Sequence, residues 1–421
     1  MLLPLVVLVL GVVLLAVVTV RAVPAQPVPP VGDDDLARDF TDSERARERA
    51  FRRRVRPWGL LAAALDVLVP TALVLTGAVR GVVDSVDGPW WLQVLLATTL
   101  VLAVTRLTTL PGSVAVRRAS VAYGLATGSW RRWARDVLVS FALAWVLVGL
   151  ALLGWLLAVR WWPDSWWWPV ALVAAGLVVA LSFLLPVVVE PLFARVTPMP
   201  DGDLRRDLLA LAAADGVAVR DVLVADASRR TTALNAYVSG LGATRRIVVH
   251  DTLLDRGRDD EVRAVVAHEL GHVVAHDVRT GTLLGAGGAA LGVVGAAVLL
   301  AWPALLDLAH VTGADDPAVV GLLLAAGAWA GLLGAPVQNA VSRRVERRAD
   351  LHCLGLAADP LTVARMHRSL AVVNIAALRP PRLLHLWFGT HPTSPERIAT
   401  ARAWARAQGR DEIPALVVDA G

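Results

Sequence analysis

The chain has 421 residues, 56% of them hydrophobic, a mean hydropathy of +0.58 and a net charge of +5. That balance excludes an ordinary water-soluble globular protein, and because the apolar residues fall in long runs they point to a bilayer rather than to a larger soluble core. The basic residues are all arginine and lie in short loops beside those runs, so the positive charge reads as membrane topology and not as nucleic-acid binding. Cys353 is the only cysteine, which excludes an internal disulfide; its Ala- and Leu-rich surroundings read as a small buried apolar residue rather than a thiolate ligand.

Seven stretches match the ~20 residues that a bilayer-crossing helix needs: 2–20, 58–79, 90–110, 137–159, 166–188, 280–302 and 317–339. The first is read as an uncleaved anchor. Val-Pro-Ala at 23–25 resembles a signal cleavage site, but no positive residue precedes the apolar run. Residues 24–57 begin Pro-rich and become charged, as a linker leading into a solvated, amphipathic helix. Arg-rich loops at 21–57 and 111–136 alternate with Arg-poor ones near 80–89, 160–165 and 303–316. The positive-inside rule then sets the N-terminus outside, and both 189–279 and the tail from 340 onward in the cytoplasm. The expected divisions are an anchor and charged linker (1–57), helices two to five (58–188), a cytoplasmic part (189–279), helices six and seven (280–339) and a C-terminal helical part (340–421).

Residues 201–279 have globular patterning. A helix is expected at 203–214, a strand at 218–225, and a strand pair near 233–239 and 245–250 joined at Gly240-Leu241-Gly242. A long helix is expected over 259–279. In the sixth span, glycines at 281, 285, 288, 292 and 295 would let helices approach closely.

The chemistry concentrates in that long helix, at His268-Glu269-Leu270-Gly271-His272. Two histidines one helical turn apart face the same way and can share one ion. Glu269 beside them can take a proton from a metal-bound water, whose pKa zinc lowers to about 7. Apolar residues precede the motif, and Gly271 leaves room beside the metal. After the seventh span, Glu346 on an expected helix can supply a third ligand, and Asp350 one turn later can hold the free ring nitrogen of a ligand histidine. A third histidine ligand six residues after His272 is excluded because that position is Val278; His276 reads as an outer group lining the site. Asn235 and Ala236 lie on the strand before the metal helix, where an edge can pair with an extended peptide. His391 or Arg397, in His391-Pro392-Thr393-Ser394-Pro395-Glu396-Arg397, can stabilise a developing oxyanion, although Ser394-Pro395-Glu396 is also an ordinary helix opening. The fold class is therefore mainly α, a polytopic membrane protein of seven helices with a small α+β zincin-like catalytic part, and the expected cofactor is one zinc ion.

Together these pieces resemble the integral membrane zinc endopeptidases of the CAAX prenyl protease 1 type. The resemblance rests on Asn235-Ala236-Tyr237, Arg246-Ile247-Val248-Val249 with Asp251-Thr252-Leu253-Leu254, His268 to His272, Glu346 to Asp350 and His391 to Arg397, and on Pro186 to Phe193 with Glu190-Pro191-Leu192-Phe193. It spans roughly 120 to 405 and implies seven helices enclosing a water-filled chamber with zinc facing inward. The related bacterial heat-shock membrane proteases are shorter, with fewer spans. Two departures limit the carry-over. Ala233 and Leu234 stand where the family often has a histidine, which puts one substrate contact in doubt. The composition also suggests a high-GC prokaryote and so a prokaryotic cell membrane, where prenylated substrates are not expected. The expected partners are the bilayer and a peptide or membrane-associated protein substrate. Two competing readings are a non-catalytic membrane scaffold or chamber that kept a metal site, and a soluble-type metallohydrolase merely tethered by helices. The intact Glu269 argues against the first. The two spans that separate the ligands argue against the second.

Overall fold

The computed structural model describes residues 2–193, 195–240, 242–356 and 359–417; the side chains of 185–187, 189–193 and 243 lie outside that description. Among the described residues, seven helices are long and apolar enough to cross a bilayer. The chain enters through α1 (Leu2–Ala22), whose Leu3, Leu10 and Leu14 are exposed as a lipid-facing helix requires. Short α2 (Asp33–Asp39) is followed by α3 (Asp42–Leu75). A reciprocal cap starts α3: the Glu44 backbone N–H donates to Thr41 Oγ1 at 3.2 Å and the Thr41 N–H donates to Glu44 Oε2 at 2.9 Å. The helix then runs through Pro57 and Pro70 without ending. The solvated helix and the second span expected from the sequence are thus one rod of 34 residues, whose Arg-rich first half projects from the membrane.

After α4 (Ala78–Asp84), the helices α5 (Trp90–Ala122), α6 (Trp130–Trp161) and α7 (Trp167–Phe193) complete the first five crossings. Trp161, Trp162 and Trp168 stand exposed at the α6–α7 turn, where an aromatic belt at the bilayer interface is expected. The segment Pro186 to Phe193 is helical in its backbone, but the side chains of Glu190 to Phe193 lie outside the described residues.

The extramembrane part begins with β1 (Val196–Pro198), α8 (Asp203–Ala214), β2 (Asp221–Ala225), β3 (Ala236–Ser239) and β4 (Arg246–His250). The strands form one sheet in the order β1-β2-β4-β3, with β2 and β4 parallel and the outer pairs antiparallel, so β3 is an edge. The β3–β4 connection needs glycine: Gly240 has φ 87°, and a Cβ there would sit 2.6 Å from the Thr244 carbonyl oxygen. Next come α9 (Asp251–Arg256) and α10 (Asp259–Val274), the latter opening on Asp259, Asp260 and Glu261, which suit the positive end of the helix dipole. The helix expected to reach 279 stops earlier. His276 adopts a left-handed φ of 53°, and Asp277 begins α11 (Asp277–Leu300), the sixth crossing.

Short α12 (Pro303–Leu308) leads to α13 (Val319–Leu356). At 38 residues α13 is roughly 57 Å long, far more than the ~30 Å of a hydrocarbon core. Its second half therefore leaves the bilayer and enters the extramembrane part. The chain ends with α14 (Pro360–Val373), α15 (Arg382–Phe388) and α16 (Ser394–Ala407). One apolar core joins Leu208 of α8, Ile247 of β4, Leu270 of α10, Leu354 of α13, Met366 of α14 and Ile398 of α16.

Leu36 and Phe40 belong to that same core, so part of the expected linker is structural. The reason is electrostatic as well as apolar. Asp39, 1% exposed, accepts two hydrogen bonds from Arg402 at 2.5 and 2.6 Å, which fasten α2 to α16. At the opposite end of the bundle, Arg80 pairs with buried Asp316 and donates to the His310 carbonyl at 2.9 Å. Removing one partner of a buried ion pair strands the other charge and costs about 3–5 kcal/mol. Asp39→Ala is therefore expected to lower the thermal unfolding midpoint of the detergent-solubilised protein by several degrees. An unchanged midpoint would contradict a structural role for this pair.

Candidate metal centre

Two helices meet to form the centre. Buried Val262, Val266, Ala267 and Leu270 fix the rotation of α10 on the core, which turns His268 and His272 toward α13. The helices can cross this closely because residue 271 is glycine: a Cβ there would lie 3.1 Å from His352 Cβ and 3.2 Å from Ala349 Cα. Gly271 thus makes room for the second ligand helix rather than for the metal itself. At the crossing, His268 Nε2 and His272 Nε2 are 3.2 Å apart. The Glu346 carboxylate lies 3.4 Å from the first and 3.7 Å from the second.

Donors around a tetrahedral zinc at about 2.0–2.1 Å are separated by roughly 3.3 Å, so this spacing fits one ion held by all three. Glu269 also offers an oxygen within 4.8 Å of the two histidine donors. The outer nitrogens are oriented for the same task. His268 Nδ1 is 3.0 Å from Asp350 Oδ1, a close ion contact off the line of an ideal hydrogen bond. His272 Nδ1 is 2.9 Å from Asp277 Oδ2. Carboxylates on the Nδ1 atoms orient the Nε2 lone pairs toward a shared cation, and Arg397 Nη2 also lies 3.4 Å from His268 Nε2.

Asp350 is almost fully buried and gathers several groups. Arg397 Nε donates to its Oδ2 at 2.7 Å, while Arg397 Nη2 donates to Glu346 Oε2 at 2.9 Å. His367 Nε2 from α14 approaches Oδ1 at 3.5 Å. Burial draws the His268 imidazole down, but Asp350 and Glu346 outweigh it and lift the group to about 9. The pocket therefore favours positive charge at that position. Burial and the neighbouring Arg397 cation push His367 down to about 4 and keep it neutral. Glu269 is raised above the ordinary carboxylate range, chiefly by burial.

The residues expected from the sequence fall in three groups. His268, Glu269, His272, Glu346 and Asp350 are brought together. So is Arg397, but its guanidinium is engaged by Asp350 and Glu346 instead of projecting freely toward a substrate. The cap of α16 explains that placement: Glu396 N–H donates to Thr393 Oγ1 at 3.4 Å, and the next residue is Arg397. His391 lies at the rim, its side chain 59% exposed and its Nε2 3.3 Å from Glu346 Oε1. Asn235 is exposed beside the same cavity, whereas the Ala236 side chain is buried, so only its backbone can meet a ligand. His276 does not join the cluster. It sits exposed at the α10–α11 break, and its left-handed backbone turns the next residue, Asp277, back onto His272. A cavity of about 810 Å³ opens in front of these groups, with Glu269, His391 and Asn235 on its wall and Leu60, Leu384 and Phe388 among its apolar lining. Sequence reasoning missed Asp277 and His367. The position of the first depends on a helix break, and the second lies on a helix with no motif.

The geometry agrees with the comparisons. Residues 198–405 match peptidase family M48, and residues 20–195 match the CAAX prenyl protease N-terminal region of five membrane helices. The chain is similar to the uncharacterized metalloprotease YhfN of Bacillus subtilis, 30% identical over 303 residues, which are 71% of this chain and 70% of that protein. It is 33% identical to CAAX prenyl protease 1 of Saccharomyces cerevisiae over 141 residues, 33% of this chain and only 31% of that protein. The crystal structure of S. mikatae Ste24p shares the fold, with a TM-score of 0.77 over 94% of this chain and 98% of that one, at 20% identity. The shared chamber fold, the seven crossings and the matched sequence agree: this chain belongs to peptidase family M48 and is an integral membrane metalloprotease.

Proposed function

We propose that the protein is a zinc-dependent endopeptidase in which His268, His272 and Glu346 hold the ion and Glu269 is the general base. The observation that carries this reading is the convergence of two Nε2 atoms 3.2 Å apart with a carboxylate 3.4 and 3.7 Å from them. Zinc bound there would act as a Lewis acid and bring the pKa of a water to about 7. Glu269 takes the proton of the attacking water and passes it to the leaving amine. Its burial supports that role, because a raised carboxylate is closer to the operating pH of a proton shuttle. His391, exposed at the rim, is suited to donate to the developing oxyanion. Arg397 acts mainly by fixing Glu346 and Asp350. An extended peptide can add alongside β3, the outermost strand of the sheet, with Asn235 anchoring its backbone.

The substrates we infer are peptides or membrane-associated proteins. The curated relatives named CAAX prenyl protease 1 match over small shares of their length, so prenylated substrates are not assigned. The Arg-rich first half of α3 and the Arg-poor loops at the other end support a cytoplasmic catalytic side. A non-catalytic chamber that kept its metal would have no use for Glu269.

Glu269→Gln is expected to retain one zinc per chain and to lose peptide hydrolysis by roughly 10²–10⁴-fold, read by metal analysis and by cleavage of a peptide library. Full activity in that variant would overturn the assignment, and zinc without turnover in the wild type would favour the scaffold. Glu346→Ala should lose most of the metal. For topology, a reporter joined after residue 310 should read external and one after 260 cytoplasmic; the reverse pattern would contradict the arginine argument.

A further inference from the structure

Arg348 lies two residues after Glu346 on α13 and touches neither histidine, yet it joins two distant groups. Its Nη2 pairs with Asp277 Oδ1, and its Nη1 donates to the carbonyl oxygen of Ala22 at 3.2 Å. Asp277 uses its other oxygen, Oδ2, for His272 Nδ1 at 2.9 Å. An unbroken polar chain therefore runs from Ala22 through Arg348 and Asp277 to His272.

Each link has a physical reason. Ala22 is the last residue of α1, and the final carbonyls of a helix lack partners within it and carry the negative end of its dipole. A guanidinium is planar and presents several fixed donors, so it can serve that carbonyl and a carboxylate together. The Asp277 side chain is only 7% exposed, so its charge needs a partner. Asp277 also follows a left-handed residue, His276, at the start of a different helix from His272. The regular turn of α10 therefore does not fix its carboxylate on the imidazole.

We propose that Arg348 is a positioning residue that holds Asp277 against His272 Nδ1 and so ties the orientation of this imidazole to the end of the first transmembrane helix. The inference rests on reading His272 as a metal ligand. It assigns no contact between Arg348 and substrate.

The test is the zinc affinity of the detergent-purified full-length protein, measured by competition with a chelating dye, beside the visible spectrum of the cobalt-substituted form. Arg348→Met should weaken zinc binding by about 10–100-fold, as loss of an outer partner of a metal histidine does, and should shift the cobalt bands. Arg348→Lys, which keeps the charge but not the fork, should recover part of the affinity. Asp277→Asn should weaken binding as well, and the double variant should be no weaker than Asp277→Asn alone, because the two residues act in series. Wild-type affinity in Arg348→Met would overturn the proposal, and so would additive losses. An equal loss in Arg344→Met, one turn earlier, would do the same, since it would show a general charge effect. If Arg348→Met does not fold, the same cycle with Arg348→Lys decides. A wild-type protein that binds no zinc would instead sink the metal reading itself.

Discussion

The constraint on which this molecule depends is the close crossing of α10 and α13 at Gly271. Without a side chain at 271, the backbone of α13 can come near enough for Glu346 to stand beside two imidazoles on the other helix. The two halves of the site are far apart in sequence and are separated by two bilayer crossings. The membrane bundle is therefore not a tether for a soluble enzyme. The seventh crossing and the segment that carries Glu346 are one continuous helix.

Charge balance follows from the same crossing. Glu346 and Asp350 are brought into a largely water-free region, where a lone carboxylate would be costly. Arg397 answers both with its two ends, and the histidines answer them from the other helix. His367 stays neutral beside this cluster and adds no further positive charge. The cavity wall includes His268, Glu269 and Glu346.

Much of this was legible in the sequence, because the strongest signals are local. Long apolar runs announce crossings, and His268 to His272 needs only the pitch of one helix to make sense. Glu346 and Asp350 were readable because a single turn separates them. What escaped was set by tertiary context. The division expected at 57/58, between the charged stretch and the second span, falls inside α3, which runs on through Pro57 because the Thr41 cap and the helical sequences on both sides outweigh one lost hydrogen bond. His276 looked like an outer group of the metal site, but its left-handed backbone ends α10 and gives that place to Asp277. The stretch around Asp39 read as linker because nothing nearby in sequence reveals Arg402, which pairs with it from the far end of the chain.

X-ray absorption at the zinc edge of the purified wild-type protein tests the account most directly. Two imidazole nitrogens and carboxylate oxygen at about 2.0–2.2 Å are predicted. A sulfur shell near 2.3 Å, which would implicate Cys353, or a shell lacking imidazole would contradict it.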